Sequence, residues 1–93
     1  MNTNIPLIKN YLSSKPVLKA YIFGSVARGD DDEKSDLDLL LELDNHASLF
    51  DMASIQVELE KLLGIKVDVV SSNGLSPNIK PYIDKDKKLI YER

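Results

Sequence analysis

Three aspartates stand where a folded chain would not place them without reason. Asp36 and Asp38 open the run LDLLLEL (37–43), and Asp68 is the single acid inside VDVV. An ionised group in so apolar a setting is costly to bury unless something compensates it. Strand alternation puts Asp36 and Asp38 on one face and Leu37, Leu39 and Leu41 on the other. Like charges so placed raise each other's pKa unless a cation lies between them. Mg²⁺ is the hard cation that carboxylates hold while leaving positions open for water and substrate phosphates. With Asp68 on a neighbouring strand, the three carboxylates could bridge two metals about 3.5–4 Å apart, the spacing of two-metal phosphoryl transfer.

Upstream, Gly24 and Ser25 follow an apolar β-branched run and open a short helix, aiming backbone N–H groups at whatever lies there. Arg28 comes three residues later, close enough on a helix to grip the same anion as Ser25. The chain has ten lysines and two arginines, and one of the two stands here; a planar fork suits phosphate. Neither a Gly-x4-Gly-Lys-Ser/Thr loop nor a Gly-x-Gly-x-x-Gly turn is present, which argues against a P-loop or a dinucleotide-binding domain. Taken singly, a Gly-Ser turn, a D-x-D pair and a lone strand aspartate are ordinary solvated features. Their order points to a nucleotide and metal site: strand, Gly-Ser, helix with arginine, strand with D-x-D, helix, strand with aspartate.

The elements that must carry these residues are legible as well. Ile5, Ile8 and Leu12 have helical spacing, with Asn4 as cap and Pro6 in the first turn. Val17 to Phe23 reads as a strand, SVAR as a helical turn closed by Gly29, and Leu37 to Leu43 as a strand too apolar on both faces for an exposed edge. In SLFDMASIQVELEKLLG, Leu49, Met52, Ile55, Leu59, Leu62 and Leu63 form one stripe, with Ser48 and Asp51 at its start and Gly64 at its stop. IKVDVVS is a third strand, SNGLSPN a loop, IKPYI a helical turn interrupted by Pro81, and KKLIYER a last strand. The expectation is one α+β domain over residues 1–93.

Bulk properties set the limits. Ninety-three residues make one modest core, without room for a separate recognition domain, so a large acceptor must be held by another molecule. A formal charge of −3 makes nucleic acid a poor partner. Cysteine is absent, which fits a cytoplasmic protein without thiolate metal sites. Neither a signal peptide nor a membrane span is expected.

GSVARG followed by SDLDLLLEL resembles the nucleotidyltransferase signature of the DNA polymerase beta superfamily: Gly24-Ser25, ten residues, then Asp36-x-Asp38, with Asp68 matching the later third carboxylate. The short chain is similar throughout to minimal nucleotidyltransferase (MNT) domains, some of which are the antitoxin halves of HEPN/MNT toxin–antitoxin pairs. The resemblance implies a two-layer fold, a small mixed sheet with flanking helices, with MgATP as donor and transfer of a nucleoside monophosphate. By that likeness Gly24, Ser25 and Arg28 bind the triphosphate, Asp36 and Asp38 ligate two Mg²⁺ ions, and Asp68 ligates the catalytic metal and assists deprotonation of the acceptor. It further implies adenylylation of a tyrosine on a helical HEPN toxin, and hence a hetero-oligomer. The alternatives are a non-catalytic module that masks its partner, or a transferase acting on a small molecule or RNA. His46, the acid run Asp30 to Glu33, Tyr82, Tyr91 and the KDKK segment are read as a loop residue, a solvated loop, two packing residues and a charged turn.

Overall fold

The computed structural model describes residues 4–29 and 36–93, and the acid run Asp30 to Glu33 lies outside them. Helix α1 (Ile5–Leu12) begins where Asn4 Oδ1 accepts the Leu7 N–H at 3.2 Å, and Pro6 sits in its first turn, where no donor is needed. Then come β1 (Val17–Phe23), α2 (Gly24–Arg28), β2 (Leu37–Leu43), α3 (Leu49–Leu63), β3 (Val67–Ser71), a 3-10 turn at Ser72–Gly74, α4 (Lys80–Asp86) and β4 (Lys88–Glu92).

The strands form one mixed sheet in the order β3-β2-β1-β4. β1 runs antiparallel to both β2 and β4, whereas β2 and β3 are parallel. A parallel pair needs a long crossover, and α3 supplies it. β2 therefore lies between two strands, as its apolarity on both faces requires. Leu37, Leu39 and Leu41 are fully buried on one face and Leu40 nearly so on the other.

One face of the sheet holds the main core. Ile8 and Leu12 of α1 and Ile55 and Leu59 of α3 pack with Ala20, Ile22, Leu37, Leu39, Leu41 and Val67. Truncating Leu39 or Leu41 to alanine there should cost about 2–5 kcal/mol through lost transfer energy and a cavity. The opposite face carries Asp38 and Leu40, and α4 approaches it through the buried Ile83. Tyr11 joins the two helices of the core face: its hydroxyl donates to Glu58 Oε1 at 2.6 Å, and Lys15 Nζ stands 3.2 Å from the same oxygen.

Three expectations change. The α3 stripe is narrower than its spacing suggests: Leu49 is 83% exposed in the first turn, and Leu62 is 45% exposed in the last although Leu63 beside it packs against the core. Pro81 does not interrupt a helix; it occupies the first turn of α4, where its missing donor is harmless, and the helix runs on to Asp86. Tyr82 is 74% exposed and packs into nothing, whereas Tyr91 does pack against the core. No helix among the described residues is long and apolar enough to cross a membrane.

Candidate active site

The register of three adjacent strands sets the site. Phe23 of β1 is paired with Asp38 of β2, and Asp38 with Asp68 of β3. Directly paired residues project to the same face, about 4.8 Å from strand to strand. Asp38 and Asp68 are thus neighbours by construction of the hydrogen-bond ladder. At the end of β1 the chain turns through Gly24, whose φ of +77° favours glycine. A Cβ built on Gly24 would overlap Asp38 Oδ2 and come within 3.3 Å of its Cγ. The backbone entering α2 is pressed directly against the carboxylate, and a side chain at position 24 would have to displace it.

Helix α2 has five residues, with Gly24 rather than Ser25 as its first, and no side chain caps it at Phe23. So short a helix has little dipole, so its attraction for an anion rests on individual N–H groups of the first turn. Gly29, at φ +77°, closes it. Arg28 lies in its last turn and binds Asp86 of α4, Nη1 to Oδ2 at 2.8 Å.

Asp38 is half-buried, and its carboxyl is held above the usual carboxylate range. Burial is the largest cause, followed by the charges of Asp68 and Asp36; Arg28 opposes them without cancelling the shift. Among the described residues, the charges acting on Asp38 are thus on balance negative. Asp36 immediately precedes β2, and its Oδ2 stands 3.8 Å from Lys66 Nζ. The Leu37 N–H donates to the Lys66 carbonyl at 3.0 Å, which holds the two backbones side by side.

Among the described residues no three His, Cys, Asp or Glu side chains converge as a ready metal cage. Asp38 is paired with Asp68 in register, and Asp36 stands close enough for its charge to act on Asp38 while Lys66 Nζ lies 3.8 Å from its Oδ2. The donor set still fits a hard divalent cation that keeps several waters and completes its shell with phosphate oxygens. Asp38 and Asp68 also share the wall of a cleft of about 500 Å³ reaching under α4.

Two contributors escaped the sequence reading. Asp86 is hidden inside KDKK, and nothing local marks it as the partner of Arg28. Lys66 becomes visible only once β2 and β3 are set parallel with Leu37 opposite Val67, which brings Asp36 beside it. His46 is an exposed loop residue whose N–H donates to Asp44 Oδ1 at 2.8 Å. KDKK is the end of α4 running into β4 rather than a free turn.

A small mixed four-stranded sheet with flanking helices is the fold of a minimal nucleotidyltransferase. The chain belongs to the polymerase beta nucleotidyltransferase family, which it matches over residues 7–93. It is 43% identical over 67 residues to a proposed protein adenylyltransferase of Methanocaldococcus jannaschii, covering 72% of each chain. Among solved structures it superposes with TM-score 0.80 on a proposed minimal nucleotidyltransferase, 34% identical, over 90% of this chain and 86% of that one. The fold also matches a chain in the complex of a tri-AMPylated HEPN toxin of Shewanella oneidensis with its MNT antitoxin. There the TM-score is 0.69 at 16% identity, over 97% of this chain and 74% of that one.

Proposed function

We propose that residues 1–93 form one nucleotidyltransferase domain that transfers AMP from ATP to a tyrosine hydroxyl of a HEPN-type helical partner in the cytoplasm, as the antitoxin of a toxin–antitoxin pair. The observation that carries this reading is the close approach of the Gly24 backbone to Asp38, with Asp68 in register beside it. The names of the M. jannaschii relative and of the AMPylated complex support the choice of a protein as acceptor.

In this reading the first-turn N–H groups at Gly24 and Ser25 receive the triphosphate, and Arg28 adds charge from the far end of α2. Asp38 and Asp68, with Asp36 alongside, would hold Mg²⁺, which when bound offsets the triphosphate charge and lowers the pKa of the acceptor hydroxyl. Asp68 takes up the proton as the hydroxyl oxygen forms its bond to the α-phosphorus. The bond from that phosphorus to the bridging oxygen breaks in line, and pyrophosphate leaves with the electron pair.

The test is incubation with α-labelled ATP, Mg²⁺ and the product of the neighbouring gene, followed by intact mass measurement. The partner should gain AMP, and the gain should vanish in the Asp36→Ala, Asp38→Ala double variant. Persistent labelling by that variant would remove the site assignment. Full neutralisation of the partner with no added mass would favour masking instead.

A further inference from the structure

The chain has four tyrosines, and the fold treats one of them unlike the rest. Tyr11 donates its hydroxyl to Glu58 Oε1. Tyr21 is half-buried, with Lys87 Nζ 4.8 Å from its ring centre, and Tyr91 packs against the core. Tyr82 is the most exposed of the four, and its side chain makes no hydrogen bond or ring contact among the described residues. Its ring adds nothing to the core, and its phenol is presented to whatever molecule comes near.

The position of Tyr82 gives that exposure a meaning. Ile79, three positions before it, lines the cleft that holds Asp38 and Asp68, and Asp86, four positions after it, binds Arg28 of α2. Residues three and four apart are neighbours on a helix surface, so Tyr82 stands at the rim of the site. Ile83 is buried and anchors α4 in the cleft. Tyr82 lies about 100° around the helix from it, so its ring projects outward instead of over its own carboxylates. Lys85, three positions on, is exposed beside it. A tyrosine with a cation at its side suits a site whose own charge is negative, and a bound triphosphate makes that site more negative still.

We infer that Tyr82 is a self-adenylylation site, modified by the active site of a second copy of this chain. The inference rests on the function proposed above for its chemistry. Tyr82 Oη forms the bond to the α-phosphorus of an ATP held by the second copy, the bond from that phosphorus to the bridging oxygen breaks, and pyrophosphate leaves with the electron pair. The phenol proton passes to Asp68 of the copy that holds the nucleotide.

The whole chain, incubated with α-labelled ATP and Mg²⁺ and no other protein, should gain AMP by intact mass, with peptide fragmentation placing it on Tyr82. Because two copies must meet, the fraction labelled at early times should rise in proportion to the chain concentration. Tyr82→Phe, an exposed change with no contact to lose, should abolish self-labelling and still label the product of the neighbouring gene. In a mixture, the active Tyr82→Phe chain should label the inactive Asp36→Ala, Asp38→Ala chain at Tyr82. Label on another residue, undiminished label in Tyr82→Phe, a labelled fraction that ignores concentration, or an inactive chain left unlabelled in the mixture would overturn the inference. A chain that labels the neighbouring gene's product but never itself would overturn it as well and leave the proposed function standing, whereas label on neither protein removes both.

Discussion

Arg28 and Asp86, 58 positions apart, meet at 2.8 Å and tie the helix that follows the glycine turn to the helix that roofs the cleft. The Asp86 side chain is the more sheltered of the two, at 20% exposure against 46% for Arg28. The guanidinium is thus held by its far partner while its field still reaches Asp38. Asp86→Asn should leave the melting temperature within a few degrees of the parent, because part-exposed ion pairs add little stability. The KM for ATP should rise several-fold, with Asp86→Glu recovering part of it. Arg28→Lys should not substitute, since an ammonium cannot keep one arm on Asp86 and offer another to phosphate.

Gly24→Ala should injure both folding and activity. The left-handed φ alone costs an alanine about 1–2 kcal/mol, and its Cβ would collide with Asp38 Oδ2. Displacing that carboxylate by even an ångström should lower kcat about 100-fold. Steady-state kinetics and a thermal melt on the same preparation separate the two losses.

Asp38 should trade stability for function. Its folded-state pKa lies above the ordinary 3.8, so its contribution favours folding most below that value and declines as pH rises through the folded pKa. At neutral pH the charged form therefore opposes folding when no cation is bound. Asp38→Asn should melt a few degrees higher than the parent at pH 7 without Mg²⁺, and the gap should close in acid. Added Mg²⁺ should raise the parent's melting temperature and not the variant's, while transfer activity is lost.

The Tyr11–Glu58 bond on the core face predicts a pH profile of its own. Burial, then the hydrogen bond to Glu58 and its charge, push the Tyr11 phenol above its usual range. Its contribution is complete below pH 10 and lost as pH climbs above. Glu58 is held below its ordinary 4.5 by the Tyr11 and Lys15 hydrogen bonds, so its contribution is present above that value and lost in acid. Stability measured by urea unfolding should fall at both ends. Tyr11→Phe should remove the alkaline fall, shrink the acid one and leave nucleotide binding unchanged.

Much of this molecule could be read before it was seen. The limits of β1 and β2 follow from Pro16, Gly24 and the apolar runs, and the ends of α3 from Ser48, Asp51 and Gly64, because caps and turns act over a few neighbouring residues. The glycine turn, Asp38 and Asp68 were legible for the same reason: each breaks a local pattern. What stayed hidden depends on contacts distant in sequence. The exposure of Leu49 and Leu62 depends on how α3 lies over the sheet. The pairing of Asp36 with Lys66 is decided by the parallel register of β2 and β3. Asp86 looks like any acid in a lysine-rich stretch until α4 is laid over the sheet.

The paired register of Asp38 and Asp68 has one more consequence. Their separation is set by the main-chain ladder, a repeat that every sheet shares, and not by how the leucines beneath them happen to fit. Core side chains can be exchanged for others of like volume without retuning the distance between the two carboxylates. The sheet works as a ruler, and a chain this small keeps an accurate site because the ruler is made of backbone.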